Sequence, residues 1–281
     1  MLKPGRAGKI TADVLTYLIL ILLAAFCLFP FIWQISSSFK TMPELMKNAS
    51  GFIPADPTLG NYVNILKSFR IYTYMKNSFL VSFISMFISM ALSSLAAYAL
   101  IRYFPRISKQ ITRLMITTYM FPAILLAVPY FIVMSALKMT NSLFGLGIVY
   151  LTFSVPYCTW MLTGYFKSVP VDIEEAAKID GASKWMTFYR ISFPLIAPGV
   201  VATAIFAFIN AWNEFLYSLV LINSGDKKTI SVALYSLVGG ETMRYGDMMA
   251  SSVLIVIPAL VLFFIIQRHL TGGLTGGAVK S

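Results

Sequence analysis

Residues 73–101, TYMKNSFLVSFISMFISMALSSLAAYALI, decide the fold. One charged side chain, Lys76, sits near the start, and the rest is apolar or small. A hydrocarbon core of about 30 Å is crossed by about 20 apolar residues in a helix, and this run exceeds that length. Ser85, Ser89, Ser93 and Ala97 recur every four residues. Side chains at that spacing share a helical face, and small ones let a second helix approach closely. The run therefore reads as a membrane span with a packing face.

Outward from it, about six runs of this kind are expected, near 13–35, 73–101, 110–136, 144–167, 197–222 and 248–267. Composition agrees. The 281 residues are 58% hydrophobic and 12% charged, with a mean hydropathy of +0.77. Soluble domains carry about 25% charged residues, so there is too little polar surface here for a water-soluble globule. The formal charge of +11 would suggest nucleic acid in a soluble chain. Here the basic residues sit between apolar runs, which points to lipid headgroups and topology instead.

Lys3, Arg6 and Lys9 precede the first run as in a secretory signal, but the run continues to Ile35 and reads as an uncleaved span. Leu23–Cys27 faintly resembles a lipoprotein cleavage site, and bulky Phe26 argues against one. Cys27 and Cys158 lie in apolar runs, so no disulfide is expected, and a single histidine, His269, offers no metal cluster or triad. With the N-terminus inside, Lys3, Arg6, Lys9, Arg102, Arg106, Lys109, Arg113, Lys167, Lys178, Lys184, Arg190, Arg268 and Lys280 fall on the inner side, thirteen of the 22 basic residues. Both termini are then cytoplasmic. The outer connections 36–72 and 223–247 are rich in turn residues; either could offer a partner surface or simply join two spans.

The longest inner connection, 169–196, is not loop-like. Asp172 and Glu175 have capping-box spacing, and Glu174 and Lys178 stand at i and i+4. Ala176 and Ala177 leave a surface open to close approach. Gly181 suits a C-terminal cap, and a second short helix can start at Ser183, with Trp185, Phe188 and Tyr189 on one face. Glu175-Ala176-Ala177, Gly181, Ile191 and Pro194, at these spacings between two spans, resemble the EAA signature of permease subunits of binding-protein-dependent ABC importers, with Phe193 where Leu is usual.

The resemblance implies an all-α integral membrane protein, one transmembrane domain over 1–281 with core spans over about 73–267 and a tail over 268–281. It implies that 169–196 is a coupling segment docking on a cytoplasmic ATPase, with Glu175 as a polar contact, Ala176 and Ala177 as the packing surface, Gly181 as the corner, and Glu174 and Asp180 among its coupling residues. Ser36–Thr41, Asn61-Tyr62, Asn77-Ser78, Ala211–Phe215 and the tail Gly272–Lys280 resemble the carbohydrate, maltose-type branch. The implied partners are a second permease, two ATPase subunits that bind ATP and Mg, an extracytoplasmic binding protein, a sugar and membrane lipid, with no nucleic acid. The location implied is the bacterial inner membrane. The chain has no P-loop, so it is not expected to bind nucleotide by that route, and no cofactor is expected in it.

Glu214 lies deepest of the acidic residues in an apolar run, a costly position that marks a functional candidate. With Asn210 and Asn213 it is expected to border the pathway, and Trp212 could stack on a sugar ring. Gly239, Gly240, Glu241 and Tyr245 resemble in position a loop that reaches into the binding protein. Two readings compete: an ABC permease for a peptide, amino acid or phosphate ester, and a stand-alone secondary carrier, which usually shows paired repeats and several intramembrane charges. A membrane-embedded enzyme would need an acid, base, nucleophile or metal set that the spans lack.

Overall fold

The computed structural model describes residues 6–48, 50–238 and 244–275. Regular structure among these residues is helical: α1 (Arg6–Ser38), α2 (Met42–Lys47), α3 (Gly60–Lys67), α4 (Ile71–Arg102), α5 (Pro105–Tyr119), α6 (Ala123–Ala136), α7 (Leu143–Ser168), α8 (Val171–Ile179), α9 (Lys184–Thr187), α10 (Phe193–Leu195), α11 (Ala197–Asn213), α12 (Leu216–Leu221), α13 (Ile230–Val238) and α14 (Tyr245–Thr275). A π turn over Phe188–Ser192 joins α9 to α10.

Four described helices are long and apolar enough to cross a bilayer unbroken: Asp13–Ser38 of α1, α4, α7 and Tyr245–Ile265 of α14. Six crossings result only if two bent pairs each count as one, α5 with α6 at 90° and Lys184–Leu195 with α11 at 78°. The expected run 110–136 is therefore not one straight helix. Pro122 stands at its corner, lacks an N–H and disfavours helical backbone at Phe121. The expected run 197–222 is also interrupted. α11 ends at Asn213, and α12 restarts at Leu216.

The chain divides into two compact units, Met1–Arg70 with Ser236–Leu254, and Ile71–Tyr235 with Ile255–Ser281. In the first, two stretches far apart in sequence meet. The Asn61 amide donates to Ser38 O and Lys40 O, both at 2.9 Å, and Ser38 Oγ shares a 2.7 Å hydrogen bond with the Tyr62 hydroxyl. Lys40 is fully buried and donates to Gly51 O. The loop between α1 and α4 is thus tied down by its own polar groups.

In the second unit α4 packs along α7. Ser82, Ser85, Ser89, Ser93 and Ala97 are all buried. Ser85 Oγ donates to Gly147 O at 3.4 Å and Ser93 Oγ to Val155 O at 3.1 Å. Such bonds draw helices together where no water competes. Near the N-terminal end of α4 Asn77 Nδ2 donates to Asp226 O and Lys228 O, and Ser78 Oγ accepts from Ile230 N. α11 joins the same core through Ala207 and Phe208. A β-carbon at Gly199 would lie 2.4 Å from the Tyr165 ring, so this approach of α11 requires glycine.

Candidate functional site

The connection 169–196 forms the helix–corner–helix that the sequence describes, with different capping. α8 starts at Val171 behind Pro170, and no side chain caps it. Asp172 falls within the first turn, so the Asp172–Glu175 box does not form. The end is a Schellman motif: Ala182 N reaches Ala177 O at 2.9 Å and Gly181 N reaches Lys178 O at 3.0 Å. Gly181 has φ +86°, a conformation that favours glycine. Ser183 then caps α9 by accepting from Met186 N at 3.2 Å.

α8 presents two faces. Glu174 and Ala177 point inward and are buried, while Glu175, Ala176, Ile179 and Asp180 are exposed. Ile179 is 86% exposed, an apolar side chain set among charges on the outer face. Sequence reasoning does not single it out. Trp185, Phe188 and Tyr189 all line an apolar groove of about 470 Å3; Trp185 and Tyr189 are exposed, and Phe188 is buried at its base.

Glu174 departs most from expectation. It does not pair with Lys178 and has no outward contact surface. Both its carboxylate oxygens accept from Arg102 Nε at 2.9 Å. Oε1 also accepts from Ser192 Oγ at 2.7 Å, and Oε2 from the Tyr98 hydroxyl at 3.3 Å. Arg102 donates further to Val169 O at 2.8 Å and Phe166 O at 3.3 Å, the closing carbonyls of α7. The Tyr98 ring lies 5.4 Å from Phe166 and 5.1 Å from Phe188, an apolar collar that keeps water from the ion pair. Among the docking residues expected on α8, Glu174 and Ala177 are thus internal groups. Glu175 and Asp180 remain on the surface.

The second place is a cavity of about 820 Å3 among α5, α6, α7, α11 and α12. Its polar lining comes from Thr117, Thr118, Thr152, Asn210, Asn213 and Glu214, and its aromatic lining from Tyr119, Phe121, Tyr130, Phe153 and Tyr217. The two helix breaks create it, since they turn Phe121 and Glu214 out of regular helix.

Glu214 sits at the gap between α11 and α12 and caps α12 with its side chain. Oε1 accepts from Tyr217 N at 2.7 Å, and Oε2 from Ser218 N at 3.1 Å and Tyr150 Oη at 2.9 Å. The first N–H groups of a helix have no partner within it, and a carboxylate there also meets the positive end of the helix dipole. That is how an acid is held in an apolar span. Asn210 uses its Nδ2 on Phe206 O at 2.9 Å, and Asn213 is exposed.

Trp212 is not brought to the cavity. It is buried and stacks on Phe208 at 5.7 Å, and it is not among the residues that line the cavity. Tyr245 opens α14 in the first unit, and Gly239, Gly240 and Glu241 lie outside the described residues. The tail resemblance over 272–280 extends past the last described residue, Thr275.

Comparison with known proteins gives one consistent result. The family model for the inner membrane component of binding-protein-dependent transport systems matches residues 89–275. The sulfoquinovosyl glycerol transport system permease protein SmoH of Agrobacterium fabrum is 34% identical over 99% of this chain and 98% of its own. The trehalose/maltose transport system permease protein MalG of Thermococcus litoralis is 36% identical, with 92% and 94% covered. Among solved structures, a chain of a bacterial ABC transporter that imports the acidic polysaccharide alginate superposes with a TM-score of 0.76. It is 21% identical, with 95% of this chain and 99% of that chain covered, a likeness of fold.

Proposed function

The chain belongs to the family of inner membrane components of binding-protein-dependent transport systems, and from that premise we propose that it is the permease subunit of an ATP-driven importer of a sugar or sugar derivative. The observation that carries the sugar reading is its match, along almost the whole chain, to two permeases of sugar transport systems. The cavity is chemically suited: hydroxyls and amides can replace water around a sugar, and tyrosine and phenylalanine faces can cover its apolar side. Asn210, Asn213 and Glu214 border the pathway in this reading.

A second permease completes the channel, and two ATPase subunits that bind ATP and Mg dock on the outer face of α8 through Glu175, Ala176, Ile179 and Asp180. An extracytoplasmic binding protein delivers the sugar and contacts the outer loops, including Tyr245. ATP binding closes the ATPases and pushes the two coupling segments; hydrolysis resets them. This chain performs no catalysis itself, and both its termini are cytoplasmic.

Purification of the tagged chain in mild detergent from its native membrane, with mass spectrometry of the eluate, tests the reading. A P-loop ATPase, a second permease and a solute-binding protein are expected with it. A chain that emerges alone and moves solute across liposomes without ATP sinks the proposal in favour of a secondary carrier.

A further inference from the structure

The buried group around Glu174 raises a physical question. Removing a carboxylate and a guanidinium from water costs several kcal/mol each, and such pairs add little net stability over well-packed apolar residues. The Glu174 side chain is 1% exposed and that of Arg102 11%. Yet both charges have partners: Glu174 accepts from Arg102, Ser192 and Tyr98, and Arg102 Nη2 donates to Val169 O and Phe166 O at the end of α7. Four segments therefore converge on two charges: the inner end of α4, the inner end of α7, α8, and the π turn that leads into α11. A π turn rotates the next helical segment about the axis, and this one sets Ser192 against the carboxylate. A buried, directional pair fixes one relative placement of its elements, which apolar contacts do loosely.

We infer that Glu174 and Arg102 form the joint through which movement of the coupling helix is passed to α4 and α7 as one body. Glu174 is thus a positioning residue, not a contact with the ATPase. The face of α8 that receives the push carries Glu175, Ile179 and Asp180. The opposite face, Glu174 with Ala177, hands it on. This inference rests on the permease reading above.

The test uses the complete importer, with its binding protein, in proteoliposomes loaded with ATP. E174Q keeps side-chain size, R102Q shortens the side chain, and each removes one charge. Expected is a normal yield of ATPase copurified with the permease, but uptake per ATP hydrolysed lowered about tenfold, the size such coupling positions command. Stimulation of hydrolysis by the loaded binding protein falls in parallel. The double variant is no worse than either single one, because both remove the same interaction. S192A, a milder change should the others fail to assemble, lowers stimulation about twofold with the complex intact. Normal uptake per ATP in E174Q and S192A overturns the joint, as does a loss of uptake that only tracks lost complex. If the wild-type importer shows no ATP-driven uptake in the same vesicles, the permease reading fails, and the joint falls with it.

Discussion

Glu214 and Glu174 are both acids in apolar surroundings; Glu214 is held by the first N–H groups of α12 and the Tyr150 hydroxyl, and Glu174 by Arg102, Ser192 and Tyr98 from other segments. Removing the Glu214 carboxylate leaves Tyr217 N, Ser218 N and Tyr150 Oη unpaired, at roughly 1–3 kcal/mol for each buried group. Glu214→Ala is expected to lower the thermal unfolding midpoint in detergent and to abolish uptake. Asn213 carries no such load, so Asn213→Ala should reduce uptake while the unfolding midpoint stays put. Full transport in both variants would remove these residues from the pathway. Gly181 gives a graded test. No atom lies within 4 Å of an added β-carbon, so substitution there costs backbone strain alone, about 1 kcal/mol for Ala. The order expected for unfolding midpoint and ATPase copurification is Gly, then Asn, then Ala, then Val. Gly181 is legible from sequence because its role is local. Sequence spacing misplaces Glu174 because its partner, Arg102, lies 72 residues away, and spacing within α8 shows only that positions 174 and 177 share a face.

Hydropathy finds apolar runs but does not distinguish a straight helix from two helices meeting at an angle. The runs 110–136 and 197–222 look continuous in hydropathy, and both are broken. Pro122 is a visible signal at the first break. At the second, the signal is Glu214 itself, since a carboxylate in lipid needs donors and a helix start supplies them. The small-residue face of α4 is legible because its period is that of the helix and its consequence, close packing, is generic. That face makes a clean prediction at Ser89, which is fully buried with no hydrogen-bond partner for Oγ among the described residues. Ser89→Ala should leave the unfolding midpoint unchanged or slightly raised, because a buried hydroxyl without a partner contributes no bond to lose. Ser89→Leu should overpack the contact at about 1–3 kcal/mol and lower the midpoint in detergent. An unchanged midpoint for the leucine variant would mean that α4 and α7 do not pack on this face.

At the scale of the whole molecule, the same Lys and Arg residues that give the chain its +11 charge are expected to set which side of the membrane each connection faces. The short connection after α4, Arg102-Tyr103-Phe104-Pro105-Arg106, is expected inside on account of its two arginines, and short loops obey this bias most strictly. The segment 169–196 lies two crossings further along if α5 and α6 together make one crossing, so it faces the cytoplasm, as docking on an ATPase requires. The connection after α12 then faces out. Both placements depend on the 90° pair α5–α6 completing a crossing. A pair that entered and left on the same side would put 169–196 outside. Single cysteines decide this, in a background with Cys27 and Cys158 replaced. Lys178 is exposed on α8, and Asp226 is exposed after α12. A membrane-impermeant maleimide added to intact cells is expected to label Asp226→Cys at once, and Lys178→Cys only after the membrane is opened. If Lys178→Cys reacts from outside, α5 and α6 form a re-entrant pair, α8 cannot meet a cytoplasmic ATPase, and the permease reading loses its means of coupling.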